Sequence, residues 1–141
     1  MRILILSLNY APEPTGFAPH TTALANHLAR MRHDVTVVTD FPFAPRWKRY
    51  EGYRGAWRRH QMIDGVNIVR VTHFVPRAPG SAIQRMLMEG SFAASAGLFG
   101  VLPLVAKRRF DLVVYVGAQP AIAWLGRSVA AACRAPFVVK I

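Results

Sequence analysis

Five short runs of apolar, mostly β-branched residues most strongly limit what this chain can fold into. They occupy residues 2–8, 35–39, 66–72, 112–116 and 137–141, and few polar residues interrupt them. Near-continuous apolar runs of this length are typical of parallel strands that are covered on both faces. Segments with helical periodicity separate several runs, the first over residues 17–32. The pattern predicts an α/β fold with a Rossmann-like, doubly wound and mainly parallel sheet.

The composition predicts one folded domain with an anionic partner. The 141 residues are 52% hydrophobic, which excludes a disordered chain, and they suit a single domain over residues 1–141. The formal net charge of +11 favours nucleic acid, a phosphorylated substrate or an anionic membrane surface as partner. Cys133 is the one cysteine, so no internal disulfide forms and a reducing compartment fits. The first residues lack the features of a signal peptide, which predicts a cytoplasmic protein.

A long apolar helix is predicted over residues 81–109. Its middle, residues 86–106, carries one charge, Glu89, and is long enough to span a bilayer. It also contains three glycines and Pro103, which favour a break near residues 97–103. Three interpretations remain open at this point: a buried or interface helix pair, a helix lying on a membrane surface, and a membrane span.

The segment over residues 40–64 is predicted to be a long functional loop. It contains six aromatic and six Lys or Arg residues. Aromatic rings stack on sugars and arginines pair with phosphates, so this composition suits a phosphorylated sugar ligand. Asp64 and Gly65 at its end predict a tight turn into the next strand.

Four loops follow the predicted strands, and their positions predict the ligand site. In open α/β sheets ligands bind beyond the carboxyl ends of the strands, where residues 9–16, 40–45, 73–79 and 117–120 would meet. The first loop lacks the GxGxxG of a dinucleotide site, and no GK[ST] of a phosphate-binding P-loop occurs. The five histidines form no HxH or HExxH pattern, so no metal site is expected. The last strand leads to no covering helix, which predicts a fragment truncated at its C-terminus.

Several segments together resemble a known family. They are "MRILILSLNYAPEPTGFAPHTTALANHLARMRHDVTVVTDFP", "GYRG", "IDGVNIVRV" and "APFVVKI". They resemble the N-terminal half of a GT-B glycosyltransferase, and more closely the family-4 retaining enzymes that build bacterial exopolysaccharides and O-antigens, of the colanic-acid type. The P-x-x-x-G loop, the helix and a "GHEVTVVT"-like strand carry the resemblance, with His33-Asp34 in place of Gly-His-Glu.

The resemblance implies an activity that this chain shares with a second domain. Such enzymes have two Rossmann-like domains facing a cleft, and the N-terminal one mainly holds the acceptor. The implied reaction moves a hexose from a nucleotide sugar to a polyprenyl-diphosphate-linked glycan at the inner face of the cytoplasmic membrane. The nucleotide sugar is a co-substrate, and no separate cofactor is expected. Without the C-terminal, donor-binding domain the chain alone is expected to be inactive.

Candidate site residues follow from the resemblance and from the residue types. Thr15, Gly16 and Phe17 are expected to contact the donor diphosphate, as the glycine of this loop does in the family. The expected acceptor-binding residues, in chain order, are His20, Phe43, Arg46, Trp47, Gly117 and Gln119. His20 is also the one candidate for proton transfer, and no other catalytic residue is assigned.

Two alternative functions remain open from the sequence. One is a non-catalytic regulatory or truncated domain, which a lone half of the enzyme would suit. The other is a basic nucleic-acid-binding module, since aromatic residues interleaved with arginines also bind single strands. No recognised nucleic-acid motif accompanies these residues.

Overall fold

A computed structural model, which describes residues 1–141, contains one six-stranded sheet with helices on both faces. The strands are β1 (Arg2–Leu6), β2 (Asp34–Asp40), β3 (Arg58–Ile63), β4 (Val66–Val71), β5 (Leu112–Val116) and β6 (Phe137–Lys140). The helices are α1 (Ala18–Arg30), α2 (Ala82–Ser95), α3 (Leu102–Lys107) and α4 (Pro120–Cys133). A π-helical segment, Ala96–Val101, joins α2 to α3, and a single 3₁₀ turn lies at Glu51–Tyr53.

The strand order is β3-β4-β2-β1-β5-β6, and every pair except β3–β4 is parallel. The predicted Rossmann-like, mainly parallel fold is therefore confirmed. The chain winds outward from β1 in one direction to β2 and in the other to β5. The carboxyl ends of β1 and β5 diverge at this reversal, which is the ligand-binding position in open α/β sheets.

Alternating side chains along the strands supply two separate cores. Ile3 and Ile5 of β1 pack under α1, together with Val35 and Val37 of β2. Leu4 and Leu6 point to the opposite face, where α2, the π-helical segment and α4 cover them. The two-residue period of a strand therefore explains why both faces are apolar and why helices cover each one.

The prediction of a loop over residues 40–64 is wrong for Arg58–Ile63, which form strand β3. This strand pairs antiparallel with β4 through a tight turn in which Asp64 and Gly65 both have positive φ angles, 53° and 78°. The sequence of β3, RRHQMI, shows no apolar alternation, since the strand lies at the sheet edge with most of its residues exposed. The predicted turn itself is present. Phe41 and Phe43, predicted in the same loop, are buried.

The long apolar helix is one continuous run from Ala82 to Lys107, so the expected break near residues 97–103 is wrong. A π-helical turn carries the chain through this region, where Gly100 lies against Val38 of β2. By length and mean hydropathy of 1.4 the run could cross a membrane, with 28% of its most apolar window buried. Phe92 and Ala96, however, pack in the core on the sheet. One side of the helix is therefore a core element and the other faces outward.

We predict opposite stability effects for two glycines of this helix. A Cβ at Gly100 would lie 2.7 Å from Cγ1 of Val38, so Gly100→Ala should destabilise the fold by about 1–3 kcal/mol through overpacking. A Cβ at Gly90 meets nothing within 4 Å, so Gly90→Ala should stabilise the helix by about 0.5–1 kcal/mol. Urea unfolding measures both, and equal effects of the two changes would contradict the close helix–sheet contact.

Candidate functional site

A cleft of about 370 Å³ opens at the carboxyl ends of β1, β2 and β5, next to the reversal of strand order. Loops after these strands form three of its walls, and α2 forms the fourth. Its lining residues are Leu8, Asn9, Thr15, Gly16, Phe43, Ala44, Pro45, Trp47, Arg85, Met88, Glu89 and Gln119. Apolar surface and hydrogen-bonding groups alternate around the cleft, as in sites that bind small polar molecules.

Glu13 holds two walls of the cleft together. Its side chain is buried, and one carboxylate oxygen accepts hydrogen bonds from the backbone N–H groups of Phe43 (2.7 Å) and Ala44 (2.8 Å). The other oxygen accepts from the Asn9 amide at 2.8 Å. Burial raises the pKa of Glu13, while these three hydrogen bonds oppose the rise. The loop after β1 and the loop after β2 are thus fixed to each other by one side chain.

The predicted donor-contact residues lie at the rim of the cleft. Thr15 and Gly16 line it and are exposed. Gly16 has a φ angle of +64°, and a Cβ there would lie 3.5 Å from the Asn9 side-chain oxygen. Phe17 does not line the cleft, because its half-buried ring packs with the core beneath α1. Whether any of them contacts a donor diphosphate stays a prediction.

A cluster of aromatic rings, tilted against one another, forms the second wall. The ring of Phe43 lies between Trp47, at 5.4 Å between centroids, and His73, at 4.9 Å. Phe43 is buried, so it supports Trp47 and its ring has little free surface for a sugar. Trp47 is half-buried, which leaves part of its indole open to the cleft. Of the two predicted aromatic residues, Trp47 is therefore the one with surface to offer a ligand.

Of the other four predicted acceptor residues, one lines the cleft and three do not. Gln119 lines the cleft, and its side-chain oxygen accepts a hydrogen bond from the Tyr115 hydroxyl at 2.9 Å. Gly117 is buried outside the cleft, where a Cβ would lie 2.7 Å from that same hydroxyl. His20 is exposed on α1 and does not line the cleft, and Arg46 lines a neighbouring groove. The geometry therefore gives His20 no support as an acceptor or proton-transfer residue, and its role stays a prediction.

A fully buried guanidinium lies behind the cleft. Arg70, in β4, donates from Nη1 to the Asp40 carbonyl at 3.1 Å, from Nε to the Gln61 side chain at 2.9 Å, and from Nη2 to the Ala11 carbonyl. It also lies over the Tyr53 ring, 5.2 Å from the centroid. Burial lowers the pKa of Arg70, and the nearby acidic groups partly offset this. The loop after β1, the end of β2 and the edge strand β3 all meet at this one side chain.

Asp40 and His73, at the ends of adjacent strands β2 and β4, form a buried pair without other partners. His73 Nε2 and Asp40 Oδ2 are 3.9 Å apart, both side chains are fully buried, and none of their polar atoms makes a hydrogen bond. Burial raises the pKa of Asp40 well above its usual value and lowers the pKa of His73 to about 3. Burial therefore favours the neutral form of both side chains, and the His73 ring lies next to Phe43.

Several residues of this region were not predicted from the sequence. Glu13, Arg70 and His73 were not singled out, nor were the α2 residues that line the cleft, Arg85, Met88 and Glu89. A charged residue inside an apolar strand, as in the "IVRV" around Arg70, is the one available indication. Charged residues are almost never fully buried unless they are paired, so such a position predicts a partner.

Comparisons with known proteins agree on one family. The sequence pattern of the glycosyl transferase 4-like domain matches residues 15–141. The chain is 35% identical over 122 residues to a protein that carries the name of a colanic acid biosynthesis glycosyl transferase, WcaI of Escherichia coli strain K12. That match includes 86% of this chain and 28% of the relative, so the chain spans less than a third of the relative's length.

A solved structure shares the fold. It is the C-terminal domain of a hydrogenase from Pyrococcus furiosus, with a TM-score of 0.59 over 99% of this chain and 91% of that domain. The two sequences are 16% identical, so this likeness shows the fold alone.

We predict that the Asp40–His73 pair makes folding stability fall as the pH rises above 6.5. The folded pair holds one proton, on the neutral aspartic acid. The unfolded pair also holds one between pH 3.8 and 6.5, on histidine, but none above 6.5. Since the raised pKa of Asp40 favours retention of that proton in the folded protein, stability should fall as the pH rises above 6.5.

The test compares urea unfolding of the wild type with that of Asp40→Asn/His73→Gln across this range. The variant cannot titrate at these positions, and the nearby Glu13, Arg49 and Arg70 are common to both proteins. The two proteins' unfolding free energies are plotted against pH, and the difference between the slopes gives the contribution of the Asp40–His73 pair. Parallel slopes would show that the pair is not held neutral.

Proposed function

Since the chain belongs to the glycosyl transferase 4-like domain family, we propose that it is the acceptor-binding half of a GT-B glycosyltransferase. The whole enzyme transfers a hexose, with retention of configuration, from a nucleotide sugar to a lipid-linked glycan. The product belongs to a bacterial surface polysaccharide, an exopolysaccharide or lipopolysaccharide. The relative named for colanic acid biosynthesis supports this class of product.

The observation that carries the proposal is the open cleft at the reversal of strand order. It lies where α/β sheets bind ligands, and its size suits one or two sugar rings rather than a nucleotide with its sugar. The partly open indole of Trp47 offers a flat surface on which a sugar ring can stack. Asn9, Glu89 and Gln119 supply acceptors and donors for sugar hydroxyls.

The donor is assigned to a second domain. This chain offers the rim at Thr15 and Gly16, where the exposed backbone can approach a diphosphate closely because Gly16 carries no side chain. The chain spans 28% of the relative named above, which leaves ample length there for a domain that binds the nucleotide sugar. The nucleic-acid alternative gains nothing from the family match, and the transfer assay below tests the non-catalytic one.

We place the domain at the inner face of the cytoplasmic membrane, held by the outward side of the long helix. A row of exposed apolar side chains runs along that side, and we call it the apolar stripe: Ile83, Met86, Leu87, Leu98 and Leu102. All five are more than half exposed, at 53–72%. Arg85 lies near one end, and Lys107 and Arg109 near the other, all exposed.

Charge complementarity selects an anionic lipid surface as the occupant of the apolar stripe. An apolar face bordered by arginines and lysines is the pattern of helices that lie in the membrane interface. The formal net charge of +11 adds long-range attraction to anionic headgroups. A polyprenyl-linked acceptor is confined to the same surface, so this placement brings the enzyme to its substrate.

We predict that Trp47→Ala in the full-length enzyme raises the KM for the glycan acceptor at least about tenfold and leaves the KM for the nucleotide sugar unchanged. Trp57→Ala is the matched control, because Trp57 is 58% exposed and lies outside the cleft. Product mass spectrometry with a panel of nucleotide sugars identifies the donor. The isolated chain should show no transfer, and turnover by these residues alone would contradict the two-domain assignment.

We also predict that the chain binds anionic vesicles and that Met86→Glu/Leu98→Glu weakens this binding at least about tenfold by placing charges in the apolar stripe. The control, Met31→Glu/Met62→Glu, adds the same charge at two methionines that are 56% and 63% exposed elsewhere. Vesicle sedimentation at increasing salt measures the electrostatic part. Equal binding to neutral and anionic vesicles would rule out an electrostatic contribution to binding. Unchanged binding of Met86→Glu/Leu98→Glu would rule out membrane contact through the apolar stripe.

A further inference from the structure

We propose that a groove beside the cleft binds the diphosphate that links the glycan acceptor to its lipid, an inference that rests on the proposed function. This basic groove, of about 670 Å³, is lined by Arg46, Trp47, Lys48, Arg49, Arg54, Val75, Pro76 and Arg77. Five of the eight lining residues are cationic and none is acidic. The ligand class is therefore a compact anion that carries more than one charge.

Four of the five cations have no partner within the chain. Arg49 donates to the Ala56 carbonyl at 2.7 Å and to the Thr72 hydroxyl at 2.8 Å, so it serves the fold. The side chains of Arg46, Lys48, Arg54 and Arg77 make no hydrogen bond, and the two ion pairs of the protein lie elsewhere. One acidic residue, Glu51, lines an adjoining hollow with Arg46 and Arg54. Clustered like charges repel, and a bound polyanion relieves that repulsion.

The residue types suit phosphate oxygens. Arginine presents a planar fork of N–H donors that matches two oxygens of one phosphate or of adjacent phosphates. Three of the four unpartnered cations are arginines, and all four are exposed and free to rotate onto a ligand. A single carboxylate would satisfy one of them, whereas a diphosphate offers enough oxygens and charge for several.

The position of the groove identifies the source of the diphosphate. Trp47 lines both the groove and the cleft, so the two sites are contiguous. On the other side, the Arg77 backbone N–H bonds to the Gln84 side chain in α2, next to exposed Ile83 at the start of the apolar stripe. The cleft, the basic groove and the apolar stripe thus follow one another in order. A lipid-linked acceptor has the same order of parts: sugar, diphosphate and apolar chain.

The test titrates the chain calorimetrically with inorganic pyrophosphate and with geranyl diphosphate, a short prenyl diphosphate. We expect both to bind, with geranyl diphosphate the tighter because its apolar tail reaches the stripe. Arg54→Gln/Arg77→Gln should weaken both at least about tenfold. The charge-matched control Arg30→Gln/Arg127→Gln, at exposed positions away from the groove and the apolar stripe, should change binding less than about twofold. All four positions are exposed, so thermal unfolding should be unchanged.

Three results would overturn the inference. They are no binding of pyrophosphate, equal weakening by the two variants, and tighter binding of uridine diphosphate than of geranyl diphosphate. The last would assign the groove to the nucleotide donor.

A kinetic measurement separates this inference from the proposed function. In the full-length enzyme, Arg54→Gln/Arg77→Gln should raise the KM for the lipid-linked acceptor and not that for a lipid-free glycan. If the variant enzyme still transfers sugar and its KM for the lipid-linked acceptor is unchanged, the groove does not bind the diphosphate. The proposed function is not affected by that result. No transfer by the wild-type enzyme overturns the proposed function itself, whatever pyrophosphate does.

Discussion

The buried guanidinium of Arg70 is the constraint on which the arrangement of the cleft depends. A charge in the core is costly to desolvate, by several kcal/mol, so all of its donors need partners. Each of the three guanidinium nitrogens of Arg70 donates one hydrogen bond: to the loop after β1, to the end of β2 and to β3. Those segments are distant in sequence, and removing the charge would leave their carbonyl groups unpaired in the interior. The loops that form the cleft are therefore held from behind as well as across it by Glu13.

Charged side chains in the interior have hydrogen-bond partners, whereas most of those on the surface have no anionic partner. The buried Arg70 and Glu13 each make three side-chain hydrogen bonds, whereas burial raises the pKa of Asp40 and lowers that of His73, which favours their neutral forms. On the surface most of the 18 lysines and arginines have no anionic partner. The interior charges fix the shape of the cleft, and the surface charges are left available to anionic ligands. The proposed function uses this division, because a lipid diphosphate acceptor in an anionic membrane would meet the surface charges.

The sequence predicted the elements that depend on local pattern and missed those that depend on distant partners. All five predicted apolar runs contain strands. Four of these strands are buried on both faces, which explains their continuous apolar sequence, whereas β6 lies at a sheet edge with Val138 and Val139 each 46% exposed. The edge strand β3 has no apolar sequence pattern, because most of its residues are exposed to solvent and can be polar.

In the cleft, Gly16, Trp47 and Gln119 were predicted from loop position and residue type, and they do line it. Glu13 and the residues on α2 were not predictable in that way. Their place in the cleft is set by how a helix and a loop far apart in the chain pack together. His20 shows the converse case: it is close to the loop in sequence but does not line the cleft, because sequence position does not fix the direction in which a helical side chain points.

Helix α2 lies between the apolar stripe and the cleft, and its width sets the distance between them. Met86 and Leu87 point outward in the apolar stripe, and the next two residues, Met88 and Glu89, line the cleft. The width of one α-helix with its side chains, about 10–12 Å, therefore separates the apolar stripe from the cleft. Under the proposed function, in which the stripe rests on lipid and the cleft holds sugar, that width would place the cleft beside the sugars next to the diphosphate. The proposal therefore implies that short lipid-linked glycans are the acceptors.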